Sequence, residues 1–417
     1  MEKGTVTVRY PDYLFHFRCI GPACSDNCCH SWPIEIDKAH YLRYRAQKNA
    51  EFAALCAKYL HRIKKDATER SYARLSLDGQ GRCGFQDADG GCRIIRLLGE
   101  DWLSETCCLY PRRKNEFVPD QWELSLAMSC EEVVRLGVLR QEEIRICTEV
   151  RHFDEKDPLF LLPPTGCGRK GSVTAPPAWG DTLRTVCIKL MQLRELSLQE
   201  RLAALLLLMR RLDRLVAAGQ EQAVLPETLR FLQSIEQGAA GEFLKALEEN
   251  LPAQLTALQI AMGHILAGRT GTATEAFVSF LAPYLQGDAQ TGLRAGKAAA
   301  EALLQQLHRR ADPAIGKHAV WMENYFVNDM FSSMFPFGNR GNGYHFEYHA
   351  LLLLQQYGIL RCLLATLPGE DPRQRFTKAM VHTARLSRHG DFAGDFRALL
   401  ESFRIPDGMI MLYLLKS

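Results

Sequence analysis

The sequence predicts a mainly α-helical protein: an N-terminal cysteine-rich metal-binding domain with little β structure, then an all-helical domain without a Rossmann sheet. Twelve of the 14 cysteines lie between Cys19 and Cys167. The segment 157–179 then contains five prolines and three glycines, which suit neither a helix nor a strand interior. Beyond it, apolar residues recur at helical spacing. We therefore expect a metal domain over 1–155, a linker over 156–180 and a helical domain over 181–417.

Composition restricts the compartment and the partners. The N-terminus has no basic stretch followed by a long apolar one, and no segment has the uninterrupted apolar length of a membrane span. We therefore expect a cytoplasmic protein, in which clustered thiols stay reduced and favour metal or redox chemistry over disulfides. The net charge of +3 is too small to indicate nucleic acid. The basic segment 373–389 could meet an anionic surface such as a membrane, although a solvated helix face is its ordinary interpretation.

The elements follow in chain order. The alternating segment Gly4–Tyr10 predicts a short strand, and apolar spacing predicts helix within Asp37–Lys65. Asp-Gly-Gly predicts a tight turn between two extended arms in Cys83–Ile94. Two further helices are expected at about Arg96–Cys108 and Glu131–Thr148. The helical domain is expected to contain helices at Thr182–Ala218, Pro226–Asn250, Pro252–Ala267, Thr272–Gln286, Gly292–Arg310, Ala319–Met334, Phe346–Thr366 and Arg373–His389.

The cysteine spacing points to a metal site but leaves the metal open. Side chains of adjacent residues diverge, so Cys28 and Cys29 are expected to face different sites, and a second metal site is plausible. Sites rich in thiolate and poor in histidine suit zinc or iron–sulfur clusters. The spacing matches neither a zinc ribbon nor the CxxxCxxC loop of radical enzymes. The candidate metal ligands are Cys19, Cys24, Cys28, Cys29, Cys83, Cys92, Cys107 and Cys130.

Two other stretches have features of a cofactor-binding site. "GCGRKG" (Gly166–Gly171) fits GxGxxG, but the flanking prolines remove the strand and helix that a dinucleotide loop needs, so it is interpreted as linker. In Val320–Gly338 an apolar stripe runs beside a polar one that includes Asn324 and Asn328. Aromatic rings next to amides could hold an adenine, a sulfonium or an alkyl-ammonium group. Core packing is the alternative.

Four segments together resemble the flagellin lysine-N-methylase family: "FRCIGPACSDNCCHSWPIEIDK", "GRCGFQDADGGCRI", "ETCCLYPRR" and "LAMSCEEVVRLGV". The later "ENYFVNDMFSSMFPFG" is similar to the family's C-terminal half. The resemblance implies methyl transfer from S-adenosylmethionine to lysine ε-amines of flagellin, with an oxygen-sensitive [4Fe-4S] cluster on the eight candidate cysteines. One departure is Glu131, where the family pattern has proline, and Cys108 is additional.

A protonated lysine cannot attack a methyl group, so transfer needs desolvation of the amine or a base. By residue type and resemblance, Tyr325, Asn328 and Glu323 are the candidate catalytic residues, with Tyr110 as a further candidate base. Asn324 and Arg112 are the candidate residues for S-adenosylmethionine. Two alternatives stay open: a non-enzymatic metal-binding or redox-sensing protein, and a zinc scaffold without redox chemistry.

Overall fold

The computed structural model describes residues 5–30, 34–118, 120–154, 157–162, 176–267, 272–281, 297–338, 345–369, 371–388, 392–402, 404–405 and 407–416. In these residues the chain is mostly helical, with two small sheets before residue 153 and helices alone after it. No Rossmann sheet occurs in the described ranges, so the predicted fold class is confirmed. The segment 166–171 lies outside them. No described helix combines the length and the apolar character that crossing a bilayer requires.

The described part of the N-terminal region contains seven strands and six short α-helices. The strands are β1 (Thr5–Pro11), β2 (Ile34–Ile36), β3 (Leu60–Arg62), β4 (Ala73–Leu75), β5 (Arg112–Asn115), β6 (Gln121–Leu126) and β7 (Ile146–His152). The helices are α1 (Lys38–Arg45), α2 (Ala50–Tyr59), α3 (Arg93–Leu98), α4 (Glu105–Leu109), α5 (Glu131–Val133) and α6 (Pro158–Leu161). A π-helical turn, Val134–Val138, continues α5.

The larger sheet has the order β5-β6-β1-β7, with β1 parallel to β6 and antiparallel to β7. Alternate residues of β1, including Val6 and Val8, are buried, as the sequence pattern predicts. The smaller sheet, β2-β4-β3, has its own apolar core around Phe52 and Phe85. The core of the larger sheet is instead continuous with that of the helices.

Twelve α-helices follow in the described part of the chain. They are α7 (Gly180–Met191), α8 (Leu198–Ala217), α9 (Val224–Glu236), α10 (Ala239–Ala246), α11 (Leu251–Ala267), α12 (Thr272–Leu281), α13 (Lys297–Arg310), α14 (Asp312–Lys317), α15 (Ala319–Ser332), α16 (Phe346–Thr366), α17 (Pro372–Arg388) and α18 (Phe392–Ser402). A 3₁₀ helix, Gly408–Leu415, closes the described chain. The long helix α16 is buried along most of its length and lies at the centre, against α8, α11 and α17.

The expected elements that differ do so for identifiable reasons. The helix expected over Glu131–Thr148 ends at Val138, because residues 146–148 pair with β1 as part of β7. The helix expected over Thr182–Ala218 is two helices, since Ser197 and Glu200 form a capping box that starts α8 afresh. Pro226–Asn250 is likewise divided at Gly238, which has a φ of 92°.

Asp37–Lys65 contains α1 and α2 and then enters strand β3. The single helix expected at Arg96–Cys108 is replaced by α3, a 3₁₀ turn and α4. Gly99 interrupts it with a φ of 95°, a conformation that favours glycine.

A buried lysine ties α6 to the larger sheet. Lys114 of β5 is 3% exposed, and its Nζ donates to the carbonyls of Leu159 at 2.9 Å and Phe160 at 3.0 Å. The same Nζ lies 3.9 Å from the centre of the Trp122 ring. Burial lowers the pKa of Lys114 to about 8.

This lowered pKa predicts a pH-dependent stability. In the unfolded chain the lysine keeps its ordinary pKa of about 10.5, so between pH 8 and 10.5 the unfolded state binds the extra proton. The charged lysine therefore weakens the fold below pH 8, and this cost disappears as the pH rises to 10.5. Relative to Lys114→Met, wild type should gain about 1–3 kcal/mol of unfolding free energy across that range. Urea titrations of both proteins at pH 7.5 and 10 measure it; parallel pH profiles would refute it.

Candidate functional site

The eight cysteines singled out by their spacing come together in space. The thiol of Cys107 is near enough to those of Cys83, Cys92 and Cys28 to interact with them electrostatically. Interactions of the same kind join Cys19 to Cys92 and Cys130. Each of the eight is linked in this way to at least one other member. We refer to these eight side chains as the thiol set. Four of them, Cys29, Cys83, Cys92 and Cys107, belong to or pack against the core of the smaller sheet, Cys130 packs against the other core, and Cys19 is exposed.

The remaining described cysteines lie elsewhere. Cys108 follows Cys107 directly in α4, yet the charges nearest to its thiol are those of Arg112, Asp157 and Asp101. Cys187 and Cys362 are fully buried in α7 and α16. These surroundings agree with the interpretation of Cys108 as an additional cysteine, and those of Cys187 and Cys362 are typical of core cysteines.

Local backbone structure brings the thiol set together. A 3₁₀ turn at Gly21–Ala23 and a series of bends, rather than a helix, carry the segment Cys19–Cys29. The N–H of Cys83 donates to the carbonyl of Cys29 at 2.7 Å, which joins that segment to the Asp-Gly-Gly turn. Across this turn Gln86 and Cys92 form a β-bridge, as the sequence predicts.

Cys28 and Cys29 do not diverge as expected. Their thiols hydrogen-bond to each other, which lowers the pKa of Cys28 and raises that of Cys29. The side chain of Asn27 explains the geometry, because its Oδ1 accepts from the N–H of Cys29 at 3.0 Å and bends the chain between the two cysteines. Two metal sites on opposite sides of this pair are therefore not favoured.

Burial keeps most of these thiols protonated in the absence of a cation. It raises the pKa of Cys83 to about 11 and those of Cys107 and Cys130 to about 12. Thiolate is the form that binds metal, so a cation must supply the compensating charge, and metal binding should release protons.

The fit of a metal group to the thiol set follows from its chemistry. In the described residues no three His, Cys, Asp or Glu side chains converge on one point as the ligands of a single ion do. An iron–sulfur cluster needs no such point, because its cysteines ligate different irons of the cluster. Thiols gathered in one half-buried region therefore fit such a cluster by donor type and number. The metal assignment itself stays a prediction.

The candidate residues of α15 point in three directions. Asn324 and Asn328 face the N-terminal region, Tyr325 faces α16, and Glu323 faces α7 and α8. The Asn324 amide accepts from the N–H of Ile144 at 3.0 Å. It donates to the Val138 and Glu142 carbonyls at 3.2 and 3.0 Å. All four candidates are at most 1% exposed.

The polar side chains of Asn328 and Tyr325, on the same helix, are hydrogen-bonded as well. Asn328 accepts from the Tyr13 hydroxyl and donates to the Leu126 carbonyl at 3.3 Å. The Tyr325 hydroxyl donates to Gln356 Oε1 at 3.0 Å. This bonding favours a positioning role for the row, in which α15 is fixed against the sheet on one side and α16 on the other.

Glu323 lies between two guanidinium groups. Arg201, itself 3% exposed, donates to Oε2 at 2.7 Å, and Arg194 donates to Oε1 at 2.8 Å. Both oxygens of this carboxylate are therefore occupied by arginine donors. Its catalytic assignment stays a prediction, and its surroundings indicate a structural ion-pair group.

Tyr110 and Arg112 lie nearer to the thiol set. The Tyr110 hydroxyl is 3.0 Å from Ser129 Oγ, and burial raises the pKa of this phenol above its usual range. It is therefore a hydrogen-bond donor rather than a base at neutral pH. Arg112 donates to the Cys108 carbonyl at 3.0 Å, and its guanidinium lies 5.4 Å from the centre of the Phe17 ring. Its assignment to S-adenosylmethionine stays a prediction.

Replacing Asn328 tests the positioning role. Asn328→Ala would leave the Tyr13 hydroxyl and the Leu126 carbonyl buried without this partner, so the free energy of unfolding should fall by about 1–3 kcal/mol. Any loss of methyl transfer should then match the unfolded fraction. Circular dichroism melts and activity assays on one preparation measure both. Full stability with lost activity would support direct catalysis instead.

Three contacts at the thiol set were not expected from the sequence. Glu131 accepts from Ser25 Oγ at 3.0 Å and from the N–H of Asp26 at 2.9 Å, so it binds the cysteine segment directly. Arg385 of α17 reaches the same segment and pairs with Asp26 at 2.8 Å. The basic segment 373–389 is therefore partly a contact face and not a wholly solvated one. In the sequence, the one feature that pointed to these contacts is Glu131, which stands where the family pattern has proline.

Comparisons with known proteins agree with the resemblance. The FliB lysine N-methylase C-terminal domain model matches residues 184–384. The chain is 34% identical to "Flagellar biosynthetic protein FliU" of Salmonella muenchen over 128 residues, which are 31% of this chain and 75% of that relative.

Two proteins named "Lysine-N-methylase" also match over 128 residues, or 31% of this chain. That of Salmonella choleraesuis (strain SC-B67) is 32% identical, and that of Salmonella typhimurium (strain LT2) is 31% identical. The match covers only 31% of the length of each. No solved structure matches the chain significantly. Together the matched domain and the extent of the FliU match show that the chain belongs to the FliB lysine N-methylase family.

Proposed function

We propose that this protein transfers methyl groups from S-adenosylmethionine to lysine ε-amines of flagellin, and that its thiol set holds an iron–sulfur cluster. Membership of the family implies a protein-lysine N-methyltransferase, and the name of the FliU relative connects the family to the flagellum. The observation that supports the cluster is the electrostatic contact that joins the eight thiols, most of them partly buried, into one set. The cluster would supply either a structural core or one-electron chemistry on the methyl donor.

The chain's own residues limit how the lysine loses its proton. Glu323 and Tyr110 offer no ready base, since the oxygens of Glu323 accept from two arginines and the raised pKa of Tyr110 keeps that phenol neutral. Desolvation of the amine is the remaining route, because burial favours neutral lysine. Lys114 shows the size of this effect in the protein. Its Nζ lies over the Trp122 ring, and burial lowers its pKa to about 8.

The substrate lysine should approach at the exposed end of the thiol set. Cys19 is exposed there, whereas the contact between α15 and the sheet is filled by buried hydrogen bonds. Asn115 and Ser125 extend this bonding to Ser332 at 2.9 and 3.2 Å. The lysine should therefore meet the methyl donor on the surface side of the thiol set, while α15 acts as the support.

The proposal is tested in cells that make flagellin. Deleting the gene should abolish lysine methylation of flagellin, measured by mass spectrometry of purified filaments, and the wild-type gene should restore it. If a gene encoding Cys107→Ser restores flagellin methylation at an equal protein level, the methylase activity does not depend on the thiol set. Unchanged methylation after deletion would reject the flagellin assignment.

The cluster is tested on anaerobically purified protein. A brown protein with at least four iron atoms per chain supports one [4Fe-4S] cluster. Colourless protein with bound zinc would support the zinc scaffold instead.

A further inference from the structure

Asp26, in the middle of the cysteine segment, is held from two sides. One guanidinium nitrogen of Arg385 donates to both carboxylate oxygens of Asp26, at 2.9 and 2.8 Å, and the other donates to the Asp26 carbonyl at 3.2 Å. From the opposite side, Glu131 Oε2 accepts from the Asp26 N–H at 2.9 Å. Main chain and side chain of this one residue are therefore both fixed.

The two partners belong to distant parts of the chain. Glu131 begins α5 directly after Cys130, whereas Arg385 lies near the end of α17, 359 residues after Asp26. The other end of α17 is fastened as well, because Arg373 donates to the Leu139 carbonyl at 3.0 Å. This helix therefore spans from the π-helical turn to the cysteine segment.

Arg385 also brings a positive charge to the thiol set. Its guanidinium is bonded to Asp26, which lies two residues from both Cys24 and Cys28. The charges closest to Cys24 are by contrast negative, with Glu131 accepting a hydrogen bond from its thiol at 3.4 Å. Arg385 thus offsets negative charge where the thiols gather.

We propose that Arg385 is a positioning residue: through Asp26 it makes the helical region hold the segment Cys24–Cys29 in its ligating conformation, and its charge stabilises an anionic cluster there. The stabilising effect of the charge rests on the proposed cluster, whereas the positioning role does not. The contact between Arg385 and Asp26 plays no part in the assignment of the chain to its family.

The size of the effect follows from the exposure of the pair. The side chains of Arg385 and Asp26 are 35% and 45% exposed, so screening limits the pair to about 1 kcal/mol, or a roughly fivefold change in an equilibrium. Opening of the cysteine segment should become about fivefold more frequent without it. Loss of a nearby positive charge should also make reduction of an anionic cluster harder.

The test compares full-length wild type with Arg385→Gln, Arg385→Lys and the control Lys378→Gln. Lys378 is an exposed residue of the same helix, two turns earlier, so its replacement removes the same charge away from Asp26. Arg385→Gln should speed hydrogen exchange of the amides of residues 24–29 about fivefold. It should also speed iron release to a chelator by a similar factor and shift the midpoint potential to a more negative value. Arg385→Lys should restore most of the protection, and Lys378→Gln should match wild type.

The outcomes separate this inference from the proposed function. Wild type without iron would reject the cluster, and hydrogen exchange at residues 24–29 would then decide the positioning role alone. Exchange in Arg385→Gln equal to that of wild type would overturn the inference, whatever the iron content. Equal effects of Lys378→Gln and Arg385→Gln would overturn it too, because they would reveal a general charge effect.

Discussion

Cys107→Ser is expected to remove most of the iron from anaerobically purified protein, whereas Cys108→Ser should leave it in place. The two residues are neighbours in α4 with similar secondary structure, which makes them a matched pair. The thiol of Cys107 interacts electrostatically with Cys28, Cys83 and Cys92. The thiol of Cys108 instead interacts with Arg112 and with acidic groups. Serine is a much weaker ligand than thiolate for iron–sulfur and zinc sites.

Iron and acid-labile sulfide per chain measure this prediction, with circular dichroism to verify that both variants fold. Metal binding is coupled to folding, so Cys107→Ser should also lower the melting temperature of the N-terminal region. Equal iron content in the two variants would contradict the assignment of the thiol set. Loss of iron in both would indicate that α4 as a whole, rather than one thiol, supports the metal.

Glu323→Ala is expected to lower the free energy of unfolding by about 3–5 kcal/mol. Arg201 is 3% exposed, and without the carboxylate its charge would remain buried with the Met191 and Ser197 carbonyls as its partners. Breaking a buried ion pair on one side has a cost of this size. Arg194→Ala is the matched control, because the Arg194 side chain is 44% exposed and its removal should cost less than about 1 kcal/mol.

Chemical denaturation of the three proteins gives these differences. Methyl transfer by Glu323→Ala, assayed at a temperature where it stays folded, should remain within a few-fold of wild type. A stable Glu323→Ala protein without activity would restore Glu323 as a catalytic residue. Equal losses of stability in Glu323→Ala and Arg194→Ala would contradict the importance of the buried Arg201 charge.

Local patterns were sufficient for the fold class and for the thiol set. The 21-residue helix α16 was predicted with correct bounds, because a long apolar run without glycine clusters or proline allows little else. The eight cysteines were recognisable because thiols in a reduced compartment seldom cluster without a use. Both signals lie in short segments of sequence.

The features that were missed depend on distant partners. The predicted helix extends into the first three residues of β7, because the pairing of β7 with β1 joins residues about 140 positions apart and neighbouring sequence does not encode that partner. The contact of Asp26 with Arg385 spans 359 residues and has the same origin. The assignments of Asn324 to S-adenosylmethionine and of Asn328 to catalysis stay predictions, because a polar stripe on a helix fits a ligand and a buried main chain equally well.

Methyl transfer by the purified protein tests the central claim most directly. Anaerobically prepared enzyme is incubated with flagellin and S-adenosylmethionine that carries a deuterated methyl group, and the flagellin lysines are read by mass spectrometry. The proposal predicts deuterated methyl groups on lysine ε-amines with wild type and Cys108→Ser, and little or none with Cys107→Ser. Iron-loaded wild type that leaves every flagellin lysine unlabelled would contradict it.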